Sequence, residues 1–379
     1  IAQYGTPIGD ESHTTQEMIV LGMGKLGGAE LNVSSDIDLI FCYPEGGDTL
    51  VSTPDQRSLS NHEFFTRLGK KLIAALSDMT EDGFTFRVDM ALRPNGASGP
   101  LVASFGMIEE YLIVQGREWE RYAWLKARAL TGRPNDIAAL EAIVKPFVYR
   151  RYLDFGAIDA IRNMHAQIRA DVIRQETRHP DRNNNVKLGR GGIREIEFLA
   201  QVFQLIRGGR DASLRDRSTR GILHTLGEKQ LLTRPIMAQL LYAYTFLRNV
   251  EHRLQYLDDA QTHTMPRTEE DRLAIAKMMG FTDTTLLLRE LDAQRAFVAM
   301  QFDTIFSDKN HAGSNHQAQT LALSDLNHVD TIEIYLTSLG FEDTAETAQR
   351  LQTTWHSARF QTLPESSRNK LLALINSSL

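Results

Sequence analysis

Asp36 and Asp38 stand two residues apart in Ser34-Ser35-Asp36-Ile37-Asp38, at the head of the apolar run Leu39-Ile40-Phe41-Cys42-Tyr43. On an extended strand, residues two apart share a face, so both carboxylates point the same way. Two anions that close repel unless a cation lies between them. Oxygen-only ligands select a hard ion, Mg²⁺ foremost, with Mn²⁺ as the substitute. Asp89, in Arg87-Val88-Asp89-Met90, puts a third carboxylate inside another strand-like stretch, where a charge is otherwise out of place. If the two strands lie side by side, the three acids form the donor set of a two-ion phosphoryl or nucleotidyl transfer site. Alone, Asp-x-Asp is common: Asp36 could simply open a strand, and Asp38 could face solvent.

The glycines just upstream narrow the choice. Gly22-Met23-Gly24-Lys25-Leu26-Gly27 matches the G-x-G-x-x-G dinucleotide fingerprint. The fit fails on spacing, because only Gly28 to Ser35 separate the last glycine from the next strand, and a parallel crossover needs a dozen or more residues. A P-loop fails too, since Gly24-Lys25 is followed by Leu26 rather than Ser or Thr. The turn is better read as backbone amides, with Gly24, Lys25, Ser34 and Ser35, cradling a phosphate beside the acids. A plain tight turn that needs glycine is the alternative.

These residues require a scaffold of alternating strands and helices. Met18-Ile19-Val20-Leu21 reads as a buried strand, a short helix-compatible stretch follows at Ala29-Glu30-Leu31, and Asp36–Tyr43 is the next strand. Apolar positions recur with helical period from Asn61 to Asp78, and Phe84–Met90 alternates as a third strand. This is a mixed α/β sheet. From about Ser104, a plausible N-cap, the pattern turns to helices only, over roughly 135–150, 155–178, 191–208, 235–258 and 284–306. Ser307–Gln317 has linker composition. Weaker helices are expected at 330–339, 344–355 and 366–374. The expected organisation is a catalytic domain over 1–133, an all-α helical bundle over 134–306, a linker over 307–317, and over 318–379 the truncated start of a further helical module.

The bulk numbers set the class. The 379 residues, 42% hydrophobic and 24% charged, suit a folded chain of two or three domains. A net charge of -6 argues against a general nucleic-acid coat. Cys42 is the single cysteine, which excludes an internal disulfide framework and suits a reducing, cytoplasmic setting. No run of about eighteen apolar residues offers a membrane span. The first residues have neither a signal-peptide pattern nor an initiating methionine, so the chain is expected to be a piece of something longer.

Four ordered blocks resemble a known family. They are Gly22–Phe41; Arg87-Val88-Asp89-Met90-Ala91-Leu92-Arg93-Pro94 with Ser98–Val102; Gln115–Tyr122 through Lys126-Ala127-Arg128; and Gly191-Gly192-Ile193-Arg194-Glu195-Ile196-Glu197-Phe198 through Arg210. Together they resemble the bifunctional glutamine synthetase adenylyltransferase/adenylyl-removing enzymes, members of the nucleotidyltransferase superfamily that includes DNA polymerase β. The resemblance covers roughly residues 18 to 306. It implies a DNA polymerase β-like α/β domain, with Asp36, Asp38 and Asp89 as metal ligands for two Mg²⁺ ions.

Enzymes of this family carry two catalytic halves, one attaching AMP to a tyrosine of glutamine synthetase and one removing it by phosphorolysis to give ADP. One motif set is present here. Ser98–Val102 and Gln115–Tyr122 resemble the N-terminal, adenylyl-removing half, although the three acids would serve attachment from ATP equally well. The resemblance also implies glutamine and the PII signal protein as regulators, and neither DNA, RNA nor membrane as partner. Arg93, Lys126 and Arg128 are candidates for phosphate contacts, or surface ion-pair partners. Gly191-Gly192 could offer free amides to an anion, and Arg194, Glu195 and Glu197 could support the site or pair among themselves. Ala91 departs from the family, which commonly has arginine there; the missing charge weakens phosphate binding unless Lys126 or Arg128 replaces it. Trp119, Tyr122 and Trp124 read as core aromatics, and Arg162, Arg169, Arg174, Arg178 and Arg182 as a solvated or partner-facing helix side.

Overall fold

The computed structural model describes residues 1–150, 184–258, 260–306, 328–338 and 344–357. The expected helix at 155–178 with its arginines, the linker at 307–317 and the helix at 366–374 lie outside the described residues. In chain order come β1 (Thr6–Pro7), β2 (Ile19–Gly22), the single turn α1 (Gly24–Gly27), β3 (Ile37–Tyr43), β4 (Thr49–Leu50) and α2 (Asn61–Ser77). Next are β5 (Val88–Asp89), β6 (Val102–Ser104), α3 (Phe105–Val114), α4 (Glu118–Trp124), β7 (Arg128–Ala129) and α5 (Pro134–Val148). Helices α6 (Ile193–Arg207), α7 (Thr219–Glu228), α8 (Arg234–Asp258), α9 (Glu269–Met278) and α10 (Thr284–Phe306) follow, then α11 (Val329–Ser338) and α12 (Thr344–Trp355).

Strand β3 organises the sheet. One edge pairs antiparallel with β2, which pairs in turn with β7. The other edge takes two short parallel partners, β5 beside Ile37 and Asp38, and β6 beside Phe41 to Tyr43. Both faces of β3 are covered, as its near-continuous apolar run requires. Ile37, Leu39, Phe41 and Tyr43 pack with Phe64 and Phe65 of α2, whereas Ile40 and Cys42 join the core formed with the later helices. Asp38 shares the parity of Ile40 and Cys42, so the strand's period of two aims it at the helical side. Ser60 caps α2 by accepting from the Glu63 amide at 3.2 Å, and each phenylalanine buried there contributes about 1.5–3 kcal/mol.

Three local expectations change. The helical turn lies at Gly24–Gly27 rather than at Ala29–Leu31, because Ala29 takes a left-handed φ of 56° and ends it. The third strand shortens to Val88–Asp89: the amides of Thr85 and Phe86 both donate to Leu76 O and close the end of α2 instead of joining a ladder. The region after Ser104 is not purely helical, since β7 returns to the sheet with Leu21 opposite Ala129 and Gly22 opposite Arg128. Two residues are too few to show a period.

Residues Ile1–Phe306 form one compact unit, in which β2, β3 and helices α3 through α10 share a hydrophobic core. Ser307–Leu379 is a second unit, with its own small core of Ile332, Tyr335, Leu336, Ala348 and Trp355. Among the described residues, no helix is long and apolar enough to cross a membrane.

Candidate active site

The glycine turn is built against Asp38. Met23 N donates to Asp38 O at 2.9 Å, which ties the end of β2 to β3. Gly24 has φ of 50°, and a Cβ there would stand 2.9 Å from Asp38 Oδ2, so the carboxylate rests against bare backbone. A Cβ on Gly27 would come 1.8 Å from Lys126 O. The turn is therefore glycine-rich for both conformation and close approach. Arg128 donates to Gly27 O at 2.9 Å and Leu26 O at 2.8 Å, bracing the end of α1.

The acids meet through strand register. Asp38 lies opposite Asp89 in the parallel β3–β5 pair, with Asp36 two residues before it. Burial, then Asp89, then Asp36 raise the Asp38 carboxyl above its ordinary value, with Lys187 and Lys25 opposing. Asp36 Oδ1 lies 2.6 Å from Arg87 Nε, and its Oδ2 accepts from Gln261 Nε2 at 3.0 Å. Asp89 is exposed, and its Oδ1 accepts from Ala91 N at 2.7 Å. As they stand, no three acidic, histidine or cysteine side chains among the described residues converge closely enough to hold a metal ion. The donor chemistry nevertheless fits a hard divalent cation: three carboxylates at neighbouring positions, the central one half-buried and destabilised by the other two.

Two ion networks tie this edge of the sheet to the helices. Lys25 Nζ lies 2.9 Å from Glu251 Oε1 of α8, and Glu251 also stands 2.9 Å from His263 Nδ1 and 3.3 Å from Arg248 Nη1. Burial pulls the Lys25 ammonium down to about 8 despite the opposing pull of Glu251. Burial alone would raise Glu251, but His263, Lys25 and Arg248 hold its carboxyl well below the usual range. In the second network, buried Lys126 contacts Glu30 Oε2 at 2.9 Å, Glu197 Oε1 at 3.3 Å and Thr219 Oγ1 at 3.2 Å. Burial works against the charged Glu197, yet Lys126, Arg248, Lys187 and Lys25 leave its carboxyl lowered.

A cavity of about 340 Å³ opens here. Of the residues expected from sequence, it gathers Gly24, Lys25, Ser35, Asp36, Asp38, Lys126 and Glu197. The others sit apart from its lining. Ser34 is buried, accepting from Arg87 Nη2 at 3.0 Å and donating its amide to Gln255 Oε1 at 3.2 Å. Arg93 donates to Met90 O and Ala97 O, stapling its own loop. Arg194 is exposed. Glu195 accepts from Gly191 N at 3.0 Å, and Gly192 N donates to Gly189 O at 2.9 Å, so neither glycine has an amide free for an anion. Neither Lys126 nor Arg128 fills in for the charge absent at Ala91, because both are committed elsewhere.

Lys187, Gln201, Gln261 and Tyr122 also line the cavity. Trp124 is a core residue, whereas Trp119 is 45% exposed. Only the proximity of Lys187 to the Gly191-Gly192 block pointed to that lysine in the sequence; Arg87 was marked only as the start of the Asp89 block, and Glu251 carried no signal beyond its charge. A second cavity of about 350 Å³ is lined by Trp124, Leu125, Ala127 and Ala129 together with Arg215 and Arg217, and none of the three aspartates lines it.

Residues 1–143 match the family model of glutamate-ammonia ligase adenylyltransferase, and residues 162–306 match that of GlnD PII-uridylyltransferase. Three proteins named bifunctional glutamine synthetase adenylyltransferase/adenylyl-removing enzyme are similar over nearly the whole chain. The protein of Burkholderia mallei is 53% identical across 97% of this chain and 41% of its own length. That of Ralstonia nicotianae is 51% identical across 100% and 41%, and that of Aromatoleum aromaticum 53% across 99% and 38%. The chain thus spans about two fifths of the length of these relatives. With the glycine turn, the strand-borne acids and the Gly191–Phe198 block inside the matched stretches, the chain belongs to the family of bifunctional glutamine synthetase adenylyltransferase/adenylyl-removing enzymes.

Proposed function

We propose that this chain is the adenylyl-removing half of such an enzyme, a DNA polymerase β-like nucleotidyltransferase domain followed by an all-α bundle. It releases AMP from the modified tyrosine of glutamine synthetase by phosphorolysis. An oxygen of inorganic phosphate attacks the phosphorus of Tyr-O-AMP, the new P–O bond forms as the bond to the tyrosine oxygen breaks, and the products are ADP and a phenolate that takes a proton from water. The phenol's ordinary pKa of about 10 makes it a poor leaving group, and two anions must be brought together. The supporting observation is the register that sets Asp38 beside Asp89, with Asp36 two residues before Asp38 and a glycine turn against the Asp38 carboxylate.

Asp36, Asp38 and Asp89 would hold two Mg²⁺ ions, or Mn²⁺, which when bound neutralise the approaching phosphate and the departing oxygen. Lys25 presents a cation at the cavity, and Glu251 holds it there. Direction rests on the resemblance of Ser98–Val102 and Gln115–Tyr122 to the removing half. Glutamine and the PII signal protein act as regulators of the whole enzyme, which works in the cytoplasm on glutamine synthetase, phosphate and ADP or ATP.

Purified chain, adenylylated glutamine synthetase, Mg²⁺ and phosphate are expected to yield ADP. Asp38→Asn and Asp36→Asn should each lower the rate by about 100-fold or more, as loss of charge stabilisation at a transferring phosphoryl group implies. Incorporation of label from ATP into unmodified glutamine synthetase, with no ADP released from the modified form, would reverse the direction.

A further inference from the structure

Three lysines line the acidic cavity, and two are already committed. Lys25 is held by Glu251, and Lys126 by Glu30, Glu197 and Thr219. Lys187 lines the same cavity, and among the described residues its ammonium has no ion-pair or hydrogen-bond partner. Its charge acts on Asp38, Glu197 and Lys25, which places it in the field of the site.

The main chain around Lys187 is fixed on both sides. Asn185 Oδ1 accepts from the amides of Lys187 at 3.0 Å and Leu188 at 2.7 Å, the local turn asparagine favours. Val186 is fully buried; its amide donates to His263 O at 2.8 Å and its carbonyl accepts from Ile193 N at 3.0 Å. Lys187 O accepts from Arg194 N at 3.1 Å. Every one of these bonds uses backbone or the Asn185 side chain. The turn is therefore anchored to the start of α6 while the lysine side chain stays uncommitted. The same bonds occupy the first amides of α6, so an anion arriving here meets the Lys187 ammonium and not the helix end. A lysine held in a charged cavity without a carboxylate of its own is suited to a mobile anion.

We infer that Lys187 binds a substrate phosphoryl group in this cavity, inorganic phosphate in the removing direction or an outer phosphate of the nucleotide in the reverse one. The inference rests on the nucleotidyl-transfer reading above and adds the residue that receives the anion.

Equilibrium titration of the metal-free chain with inorganic phosphate, and separately with ADP, tests it without turnover. Lys187→Ala should weaken binding of at least one of them by about 10- to 100-fold, the loss of one charge-assisted hydrogen bond, and Lys187→Arg should restore most of it. The ligand that weakens identifies the source of the phosphoryl group. In the full reaction, Lys187→Ala should raise the KM for phosphate more than it lowers kcat. Unchanged affinity for both ligands in Lys187→Ala, with circular dichroism matching the parent chain, overturns the inference. Absence of phosphorolysis in the unsubstituted chain would instead sink the proposed reaction, while the titration still decides the role of Lys187.

Discussion

Lys25 is the residue where burial and pairing are most finely opposed. Its ammonium, lowered to about 8, is charged below that pH and neutral above it. If it helps hold phosphate, the rate of phosphorolysis falls as pH rises through about 8. Glu251 is one of the groups that keep the pKa from falling further, so Glu251→Gln should move the alkaline limb to lower pH; a pH–rate profile of the two proteins checks it. A limb that stays in place would show that Lys25 titration does not govern the step. The same substitution leaves Lys25 and Arg248 without their shared partner and should destabilise the fold by about 3–5 kcal/mol at neutral pH. The sign follows from Glu251's depressed carboxyl: its stabilisation is present above 4.5, the ordinary value, and drains away as pH falls toward the folded one. Acid unfolding should therefore be shallower in Glu251→Gln than in the parent. Neither the burial of Glu251 nor its pairing with Lys25, 226 residues upstream, could be read from the sequence, because that contact is purely tertiary.

At the scale of elements, the glycine turn makes the sharpest demand. Gly27→Ala forces a methyl group into Lys126 O, so either α1 or the Lys126 segment must move. The expected loss is about 1–3 kcal/mol in denaturant unfolding, the usual cost of overpacking, with a larger fall in activity because the shift is passed to Gly24 and Asp38. Activity unchanged in Gly27→Ala would mean that the turn does not position the acids.

Elements with a period were legible: β3 by its apolar run, α2 by helical spacing, and the Ser104 cap, whose Oγ accepts from Met107 N at 3.3 Å. Apart from β2, which its apolar run gave away, elements of two to four residues were not. Strand β7, the truncated β5 and the one-turn α1 owe their form to a neighbouring strand, to the end of α2 and to close backbone packing. Helices α4, α7 and α9, seven to ten residues long, were also missed.

Across the whole Ile1–Phe306 unit, β3 sends alternate side chains into two cores. Ile40 is fully buried on the side shared with the helices, and Ile40→Ala should lower stability by about 2–5 kcal/mol. Because that core also contains residues of α6 through α10, sheet and helices should unfold together. Far-ultraviolet circular dichroism and tryptophan fluorescence are expected to report one coincident transition for this unit. Separated transitions would show that the sheet layer is stable on its own.

The family resemblance and the apolar strand that carries Asp38 were readable along the chain alone, because a motif and an apolar run are local properties; Asp36, expected to open that strand, falls just before it, since the strand begins at Ile37. Tertiary structure alone decided which charges are available. It set Asp89 beside Asp38 through register, committed Arg93, Lys126 and Arg128 to carbonyls and carboxylates, and left Lys187 uncommitted in the cavity. Charge pairing depends on separations in space between residues far apart along the chain, and no local pattern encodes them.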